Sequence, residues 1–500
     1  MKKLTELLVN INPLQIIGDE NISISNIQFD SRKVVEKNTL YVAQKGTQVD
    51  GHQFIVQAIT QGATAIVCET LPEILTESCT YIQVSKTSVA LGELASAFYD
   101  EPSKKITLVG VTGTNGKTTT VTLLHNLFMN LGYPTGLIST IVNKINAVEV
   151  PATHTTPNAL ELNCLLNEMV EAGCQFCFME VSSHAVVQQR IAGVYFAGGI
   201  FSNITHDHLD FHQTFANYIK AKQQFFEMLP NTAFALTNID DKNGKVMVQS
   251  AKAKVYTYSL RTGADFKGKI TDNSFEGLTC EFNGTEVYFK LCGKFNAYNL
   301  LAIYGTALLL GTKEDEVLLA MSKLEGASGR FQVLRDNRNR TFIVDYAHTP
   351  DALKNVLSTI KDITQNSVDV ITVAGCGGDR DALKRPIMAE TACNFSNIVI
   401  LTSDNPRTED PYKILADMEV GIPVAFKQNV LTIENRREAI KTACHLLPDH
   451  GVLLVAGKGH ETYQEINGVK HHFDDAEEIQ IFIELRTVDS EVQNKSELYE

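Results

Sequence analysis

The stretch GVTGTNGKTT at residues 110–119 carries the clearest chemical signal in the sequence. An apolar, β-branched run precedes it, and a helical pattern begins at about Lys117. A strand that enters a glycine-rich loop and then a helix points backbone N–H groups at an anion, and the helix dipole favours negative charge there. Lys117 is placed to reach a terminal phosphate, and the Thr118 hydroxyl to bind Mg²⁺. The pattern predicts a nucleotide phosphate loop.

One feature keeps an alternative open. Val111 stands where the usual phosphate-loop motif has its first glycine. The bland interpretation is a tight strand–helix turn with an exposed lysine, although Gly-Lys-Thr-Thr in this context is demanding.

Three later groups are candidates to complete a phosphoryl-transfer centre. Glu180 lies in the apolar run 176–181, His208 follows the run 199–201, and Lys222 lies in a helical stretch. The carboxyl ends of parallel strands meet at one edge of a sheet, where ligands bind. Acidic and imidazole groups there suit Mg²⁺, although this hard cation prefers oxygen donors. Taken singly, a strand-end glutamate is more often a helix cap and a histidine cluster a solvated loop.

The elements that must position these groups form an α/β chain. At roughly 150 residues per domain, the 500 residues correspond to about three domains. We expect a small α/β N-terminal domain (1–103), a central P-loop ATPase-like parallel sheet (104–328) and a C-terminal Rossmann-like doubly wound domain (329–500). In the last two, β-branched runs alternate with helical patterns, which is typical of parallel sheets covered on both faces.

Composition narrows the function classes. The formal net charge of −14 disfavours nucleic-acid or acidic-membrane partners, because such a chain repels phosphate backbones. No apolar run reaches the length of about 18 residues that a membrane span needs. We expect a cytoplasmic, monomeric enzyme whose substrates are small molecules. The ten cysteines sit mostly in apolar stretches, which favours buried free thiols over a metal site.

Several motifs together resemble one enzyme family, the ATP-dependent Mur ligases of peptidoglycan synthesis, whose relatives include folylpolyglutamate synthetases. The resemblance covers nearly the whole chain, in order. It begins with the phosphate loop and MEVSSHAVVQQR (179–190), DHLDFH (207–212) and YIKAKQ (218–223). It continues through KFNAYNLLA (294–302), GRF (329–331), DYAHTPDAL (345–353), GGDRD (377–381), DNPRTEDP (404–411) and AGKGHE (456–461).

The resemblance implies a ligase that couples ATP hydrolysis to amide-bond formation. The γ-carboxylate of UDP-N-acetylmuramoyl-L-alanyl-D-glutamate would attack ATP, and meso-2,6-diaminopimelate would then attack the resulting acyl phosphate. The three domains would bind the UDP-sugar, ATP and the amino acid. The alternatives are a lysine-adding or folylpolyglutamate-type ligase, and a non-catalytic ATP-binding module.

The resemblance also implies roles for individual residues. Lys117, Lys222 and His208 would be catalytic. In the family a carbamylated lysine helps hold Mg²⁺, and Lys222 matches it, with Lys220 as the nearby competitor. The metal ligands would be Thr118, Glu180, His208 and carbamylated Lys222. The ATP contacts would be Gly113, Thr114, Asn115, Gly116, Lys117, Thr118, Thr119, Asn299, Arg330, Asp345 and His348. The UDP-sugar contacts would be Ser31, Thr155, Thr156, Ser182, Gln188 and Arg190.

The motif DNPR implies the amino-acid specificity. Diaminopimelate carries one more carboxylate than lysine at its distal end, which the Arg407 guanidinium can bind through two hydrogen bonds. Asp404 and Glu461 would pair with the distal ammonium. The implied set is Arg385, Asp404, Asn405, Pro406, Arg407, Gly457 and Glu461. The alternative for Arg407 is a turn salt bridge to Glu409 or Asp410.

Overall fold

The computed structural model describes residues 1–46, 49–152, 154–205, 207 and 209–485. His208, one of the predicted metal ligands, lies outside the described residues. The described chain forms three α/β units in sequence order, each built on its own main sheet. The predicted α/β class is confirmed.

The N-terminal unit has a five-stranded sheet. Its strands run in the order Gln15–Ile17, Thr80–Gln83, Ala63–Cys68, Thr39–Val42 and Asn26–Gln28, and the first is antiparallel to its neighbour. A small sheet pairs Lys2–Lys3 with Ser23–Ile24. The α-helices are Leu4–Leu7, Ile55–Gln61, Thr87–Phe98 and Pro102–Lys105, with 3₁₀ turns at Ser31–Lys33 and Gly51–Phe54. The sequence pattern of residues 26–32 is typical of a strand, but the strand ends at Gln28. It ends there because the Asp30 carboxylate accepts a hydrogen bond from the Arg32 N–H and starts the 3₁₀ turn.

The central unit has an eleven-stranded sheet with a parallel middle. The strand order is Val148–Pro151, Val142–Ile145, Thr135–Ile138, Phe176–Glu180, Thr107–Thr112, Gly198–Phe201, Phe234–Asn238, Lys254–Ser259, Phe266–Asn273, Leu278–Phe282 and Thr285–Phe289. The helices are Lys117–Asn130, Ala159–Glu171, Ser183–Val187, Leu209–His212, Phe215–Met228, Gly244–Val248, Lys294–Leu309 and Glu314–Met321. Hairpin strands at the far edge agree with the turn residues seen in the sequence there.

The C-terminal unit has a six-stranded sheet. The order is Gln332–Arg335, Thr341–Asp345, Val452–Ala456, Val370–Ala374, Ile398–Leu401 and Val430–Thr432, and all but the first strand are parallel. The helices are Pro350–Thr364, Lys384–Phe395, Pro411–Glu419 and Arg436–Leu446, with a 3₁₀ segment at Val424–Asn429, and residues 475–485 are also helical. Strands Tyr463–Ile466 and Val469–His472 form a hairpin.

Alternating strand residues fill two apolar clusters on opposite faces of each main sheet. In the central sheet, Val109 and Val111 pack into one cluster and Leu108 into the other. In the C-terminal sheet, Ile343 joins one cluster and Phe342 the other. Because both faces are covered by protein, polar side chains gather at the strand ends, and the carboxyl ends become the natural place for a site.

Three further features of the fold are its lack of a described membrane-spanning helix, its free cysteines and the position of its domain boundaries. Among the described residues, no helix combines the length and apolar character that a membrane crossing needs. All ten cysteines are free thiols, and only Cys164 is not buried. The proposed domain boundary at 103/104 falls inside the short helix Pro102–Lys105, and the one at 328/329 precedes the first strand of the C-terminal sheet.

Candidate active site

A cleft of about 1130 Å³ lies between the central and C-terminal units, and we call it the interdomain cleft. It gathers residues that are hundreds of positions apart in the sequence. Of the predicted site residues it is lined by Thr114, Asn115, Gly116, Lys117, Thr118, Thr119, Thr155, Thr156, Glu180, Ser182, Arg190, Asn299, Arg330, Asp345, His348, Asp404, Asn405, Arg407, Gly457 and Glu461. Six described ones are not part of its lining, namely Ser31, Gly113, Gln188, Lys222, Arg385 and Pro406.

The loop Gly113–Gly116 joins strand Thr107–Thr112 to helix Lys117–Asn130, as the sequence predicts. Gly116 has φ +86°, and a Cβ there would lie 2.5 Å from Asn299 Oδ1, so only glycine fits. Asn203 fixes the loop from the next strand end, because its carbonyl accepts from Thr114 N at 2.8 Å and its Oδ1 from Asn115 N at 2.9 Å. Sequence reasoning missed Asn203, although it follows a predicted strand.

Lys117 folds back onto its own loop. Its Nζ donates to the carbonyl oxygens of Gly113 at 3.0 Å and Thr114 at 2.9 Å. Burial lowers the pKa of Lys117, and the charges of Glu180 and Asp207 partly oppose this. An anion at the loop would oppose it further, so the site is suited to a phosphate.

Glu180 ends strand Phe176–Glu180, directly beside Val111 of the neighbouring strand. Its carboxylate is buried, and Oε1 accepts from Thr140 N at 2.8 Å. Among the described residues, Oε2 has no hydrogen-bond partner. An orphaned, buried carboxylate oxygen calls for a cation, and the Thr118 hydroxyl lines the same cleft. These hard oxygen donors fit Mg²⁺.

The two candidate lysines of helix Phe215–Met228 differ in their surroundings. Lys222 is 1% exposed, and its Nζ donates to the Gly113 carbonyl at 2.8 Å. Burial, together with the charge of Lys117, holds the pKa of Lys222 well below its usual value. Lys220 is exposed to solvent. Of the two, only Lys222 contacts the phosphate loop.

The residues predicted for the UDP-sugar form a hydrogen-bonded group behind Glu180. The Thr156 hydroxyl donates to the Glu180 carbonyl at 2.8 Å. Arg190 donates to the Thr156 carbonyl at 2.8 Å and to Gln188 Oε1 at 2.9 Å. Ser182 caps the helix Ser183–Val187 by accepting from the Ala185 N–H. The capping role is the ordinary one for such a serine, so its hydroxyl is already engaged.

Ser31 and Thr155 occupy different places. Thr155 Oγ1 accepts from the Thr140 hydroxyl at 3.1 Å within the cleft wall. Ser31 lies in the N-terminal unit, where its buried hydroxyl donates to Gln57 Oε1 at 3.3 Å. Ser31 is therefore not part of the cleft lining to which Thr155 belongs.

The predicted amino-acid residues meet where two C-terminal strands end. Asp404 follows strand Ile398–Leu401, and Gly457 follows strand Val452–Ala456. Gly457 has φ +118°, and a Cβ there would lie 2.5 Å from Asp404 Oδ2. Asn405 Nδ2 donates to Glu461 Oε2 at 2.7 Å. These contacts place two carboxylates and an amide at one end of the cleft.

Arg407 is held by a hairpin and a loop. Its backbone is left-handed at φ +52°, its Nη1 donates to the Gly378 carbonyl at 2.7 Å, and its Nε lies 3.7 Å from Glu465 Oε2. Its ion partner is therefore Glu465, and neither Glu409 nor Asp410, the alternatives that sequence spacing suggested. The guanidinium lines the cleft and is partly exposed, so it retains donors for a ligand.

Arg385 is placed differently from the other predicted amino-acid contacts. It is 1% exposed, and its guanidinium binds Glu409 at 2.9 Å and Asp417 at 2.8 Å. These ion pairs tie the segment after Arg407 to helix Lys384–Phe395. In this arrangement Arg385 supports the loop, and its guanidinium is committed to protein carboxylates.

Hydrogen bonds from Asp351 and Arg330 of the C-terminal unit cross the cleft. Asp351 Oδ2, from the C-terminal helix Pro350–Thr364, accepts from Asn115 Nδ2 at 3.1 Å and from Thr205 Oγ1 at 2.9 Å. Asn115 belongs to the phosphate loop. Sequence reasoning did not single out Asp351, although it lies in the quoted DYAHTPDAL segment. Arg330 also reaches across, donating to Thr118 Oγ1 at 3.3 Å.

Comparison with known proteins agrees with this geometry. Three family models match in order: the Mur ligase family catalytic domain at residues 23–99, the Mur ligase middle domain at 111–307, and the Mur ligase glutamate ligase domain at 329–459. A protein of Cytophaga hutchinsonii is 57% identical over 474 residues, which is 95% of this chain and 97% of that one. The chain belongs to the Mur ligase family.

Other members of the Mur ligase family carry the same printed name as the Cytophaga protein, UDP-N-acetylmuramoyl-L-alanyl-D-glutamate--2,6-diaminopimelate ligase. One from Clostridioides difficile is 39% identical and covers 95% of this chain and 98% of its own. A solved structure of that title superposes with a TM-score of 0.70 at 35% identity, covering 97% of this chain and 100% of that one. A Thermotoga maritima MurF ligase solved with ADP, 19% identical over 86% of this chain and 93% of its own, shares the fold with a TM-score of 0.59.

Proposed function

We propose that this Mur ligase joins meso-2,6-diaminopimelate to UDP-N-acetylmuramoyl-L-alanyl-D-glutamate, using ATP, in peptidoglycan synthesis. The observation that carries the proposal is one cleft that holds both the phosphate loop and the group Asp404, Arg407 and Glu461. A nucleotide at one end and a charged amino acid at the other would meet in it. Relatives with that printed name, at up to 57% identity, support the same assignment.

The nucleotide end would work by charge neutralisation. Lys117 and the N–H groups of the phosphate loop would bind the triphosphate, with Asn299, Arg330, Asp345 and His348 around the rest of ATP. Glu180 and Thr118 would hold Mg²⁺, and we propose His208 and carbamylated Lys222 as further ligands. Bound Mg²⁺ would offset negative charge on the phosphates and on the attacking carboxylate.

Lys222 is chemically suited to carbamylation. Carbon dioxide reacts with a neutral amine, and the lowered pKa of this buried lysine favours that form. The amine nitrogen would form a bond to the carbon of carbon dioxide and release a proton to solvent, which leaves an anionic carbamate in place of a cationic ammonium. That change would turn a repulsive neighbour of the metal site into an oxygen ligand.

The reaction proceeds in two displacements. A γ-carboxylate oxygen of the D-glutamyl residue attacks the γ-phosphorus, ADP leaves, and an acyl phosphate forms. The amine of diaminopimelate then attacks the acyl carbonyl carbon, inorganic phosphate leaves, and the amine loses its proton. A carboxylate is a poor electrophile, so the phosphoryl group supplies the leaving group that amide formation needs. Lys117 would stabilise charge on the transferring phosphoryl group.

The substrate ends would be read by complementary charge. Arg407 would bind the distal carboxylate of diaminopimelate, and Asp404 and Glu461 its distal ammonium. Asn405, Pro406 and Gly457 would shape this end, with Arg385 holding the loop in place. We propose that the UDP-sugar contacts Ser31, Thr155, Thr156, Ser182, Gln188 and Arg190, and that Ser31 reaches it from the N-terminal unit.

An ADP-release assay tests the proposal. Release should require both the UDP-dipeptide and diaminopimelate, and lysine should not replace diaminopimelate. Turnover with lysine alone would identify a lysine-adding ligase, and ATP binding without turnover would identify a non-catalytic module. We further propose a cytoplasmic monomer, which sedimentation at working concentration would check.

A further inference from the structure

We infer that Lys458 is a positioning residue for the amino-acid substrate, because it fixes the Asn405 amide and supplies the counter-charge for Asp404 and Glu461. The inference rests on the proposed function. Lys458 is 0% exposed, and its Nζ donates to Asn405 Oδ1 at 3.1 Å and to Glu461 Oε2 at 3.4 Å.

The first step concerns the orientation of the Asn405 amide. Its Oδ1 accepts from two donors, Lys458 Nζ and the Glu465 N–H at 2.9 Å. A flipped amide would place its NH₂ group against both donors and lose both hydrogen bonds. The Nδ2 is therefore forced toward Glu461 Oε2, 2.7 Å away. Through this relay Lys458 sets the position of the Glu461 carboxylate that lines the cleft.

The second step concerns charge. Asp404 is buried and lies against Gly457, and Glu461 is close enough for the two carboxylates to influence each other. When the buried Asp404 and the partly buried Glu461 are both ionised they need a nearby cation, since like charges and desolvation both favour protonation. Burial and Asp404 raise the pKa of Glu461, and Lys458 opposes that rise. An uncharged Glu461 would attract a substrate ammonium less.

Arg436 is another nearby cation, and its charge also lowers the pKa of Asp404, but its hydrogen bonds are committed elsewhere. Its guanidinium donates to both carboxylate oxygens of the fully buried Asp475, at 2.7 and 2.8 Å. Lys458 itself is enclosed below the cleft and does not line it. It therefore acts on the substrate through Asn405 and Glu461 and not by direct contact.

The test replaces Lys458 with methionine, which is of similar length and uncharged. In Lys458→Met we expect the KM for diaminopimelate to rise at least tenfold, while kcat falls less than threefold and the KM values for ATP and UDP-dipeptide stay within twofold. Lys470→Met is the matched control. Both amines lie over the Tyr463 ring, Lys458 at 5.6 Å and Lys470 at 4.0 Å from its centroid, yet Lys470 is exposed. All of its constants should match the wild type.

A double variant separates positioning from folding. Glu461→Gln removes one of the two charges that need Lys458, so adding Lys458→Met to it should raise the KM for diaminopimelate by less than threefold. The same tenfold rise in both backgrounds would overturn the counter-charge role. An unchanged KM in Lys458→Met, or an equal rise for all three substrates, would overturn the positioning role. A wild-type enzyme without diaminopimelate-dependent ADP release would instead refute the proposed function.

Discussion

The Lys222 amine lies 2.8 Å from the carbonyl oxygen of Gly113, the glycine that opens the phosphate loop. This contact joins helix Phe215–Met228 to the loop across 109 residues of sequence. The Lys222 side chain is almost fully buried, and the Gly113 carbonyl also accepts a hydrogen bond from Lys117. Burial is the main cause of the lowered pKa of Lys222, and repulsion from the charge of Lys117 on the same carbonyl lowers it further.

Replacing Lys222 by alanine should abolish most activity. If its carbamate is a metal ligand, Lys222→Ala should lower kcat at least 100-fold, and short carboxylic acids should restore part of it by supplying the missing oxygens. The measurement is ADP release with and without added acid. Lys220→Ala, two residues away and exposed, is the control and should behave as wild type. Unchanged activity in Lys222→Ala would remove this lysine from the site.

Arg407 should determine the preference for diaminopimelate. Asparagine tolerates the left-handed backbone at this position, so Arg407→Asn removes the guanidinium without new strain. Loss of a charge-assisted pair is worth about 2–3 kcal/mol, so kcat/KM for diaminopimelate should fall by about 30- to 150-fold while the KM for ATP is kept. Arg338→Asn, an exposed arginine paired with Asp449, serves as the control. A variant that still discriminates against lysine as well as the wild type would contradict the assignment.

Asp351 should couple the C-terminal unit to the phosphate loop. One oxygen, Oδ2, accepts hydrogen bonds from Asn115 and Thr205 across the cleft. Asp351→Ala removes both, so we expect kcat to fall about tenfold, with a smaller loss in Asp351→Asn because one acceptor oxygen remains. ATP affinity, measured separately by equilibrium binding, should change less than threefold. Equal activity of the alanine variant and the wild type would show that the contact is incidental.

Asp345 should make stability depend on pH. Burial raises its pKa from the ordinary 3.8 to about 6, against the opposing Arg330 charge. The folded state therefore holds a proton that the unfolded state releases, and the stability gained below pH 4 is lost as pH rises through about 6. A shift of roughly two units corresponds to about 3 kcal/mol. Urea unfolding of wild type and Asp345→Asn should show the variant gaining relative stability between pH 4 and 7, whereas parallel curves would contradict the shift.

Local patterns predicted much of the fold because strands and helices depend on neighbouring residues. The strand before the phosphate loop, the helix that begins at Lys117, and the alternation through the last unit all follow from apolar periodicity and glycine placement. The N-terminal strand at 26–32 was predicted too long, because an aspartate that caps a 3₁₀ turn is hard to distinguish from a strand residue in sequence.

The candidate site likewise combines features that the sequence predicted with features that only the structure shows. Spacing alone left Lys220 and Lys222 as competitors, and burial separates them. Arg385 looked like a substrate contact by motif, yet its guanidinium is committed to Glu409 and Asp417. Lys458 lies in the AGKGHE motif but was not singled out from the sequence, since nothing in its local pattern shows that Asn405, 53 residues earlier, lies against it.

The amino-acid sequence by itself determined which chemical groups are available. These are a loop for phosphates, carboxylates at strand ends, and a guanidinium able to distinguish an amino acid with a distal carboxylate from one without it. Those depend on covalent identity and on short-range backbone preference. Only long-range packing decided which oxygen lacks a hydrogen-bond partner, which amine is buried and which cation compensates a carboxylate. Charge and hydrogen bonding act through space, and the chain sets those distances only once it has folded.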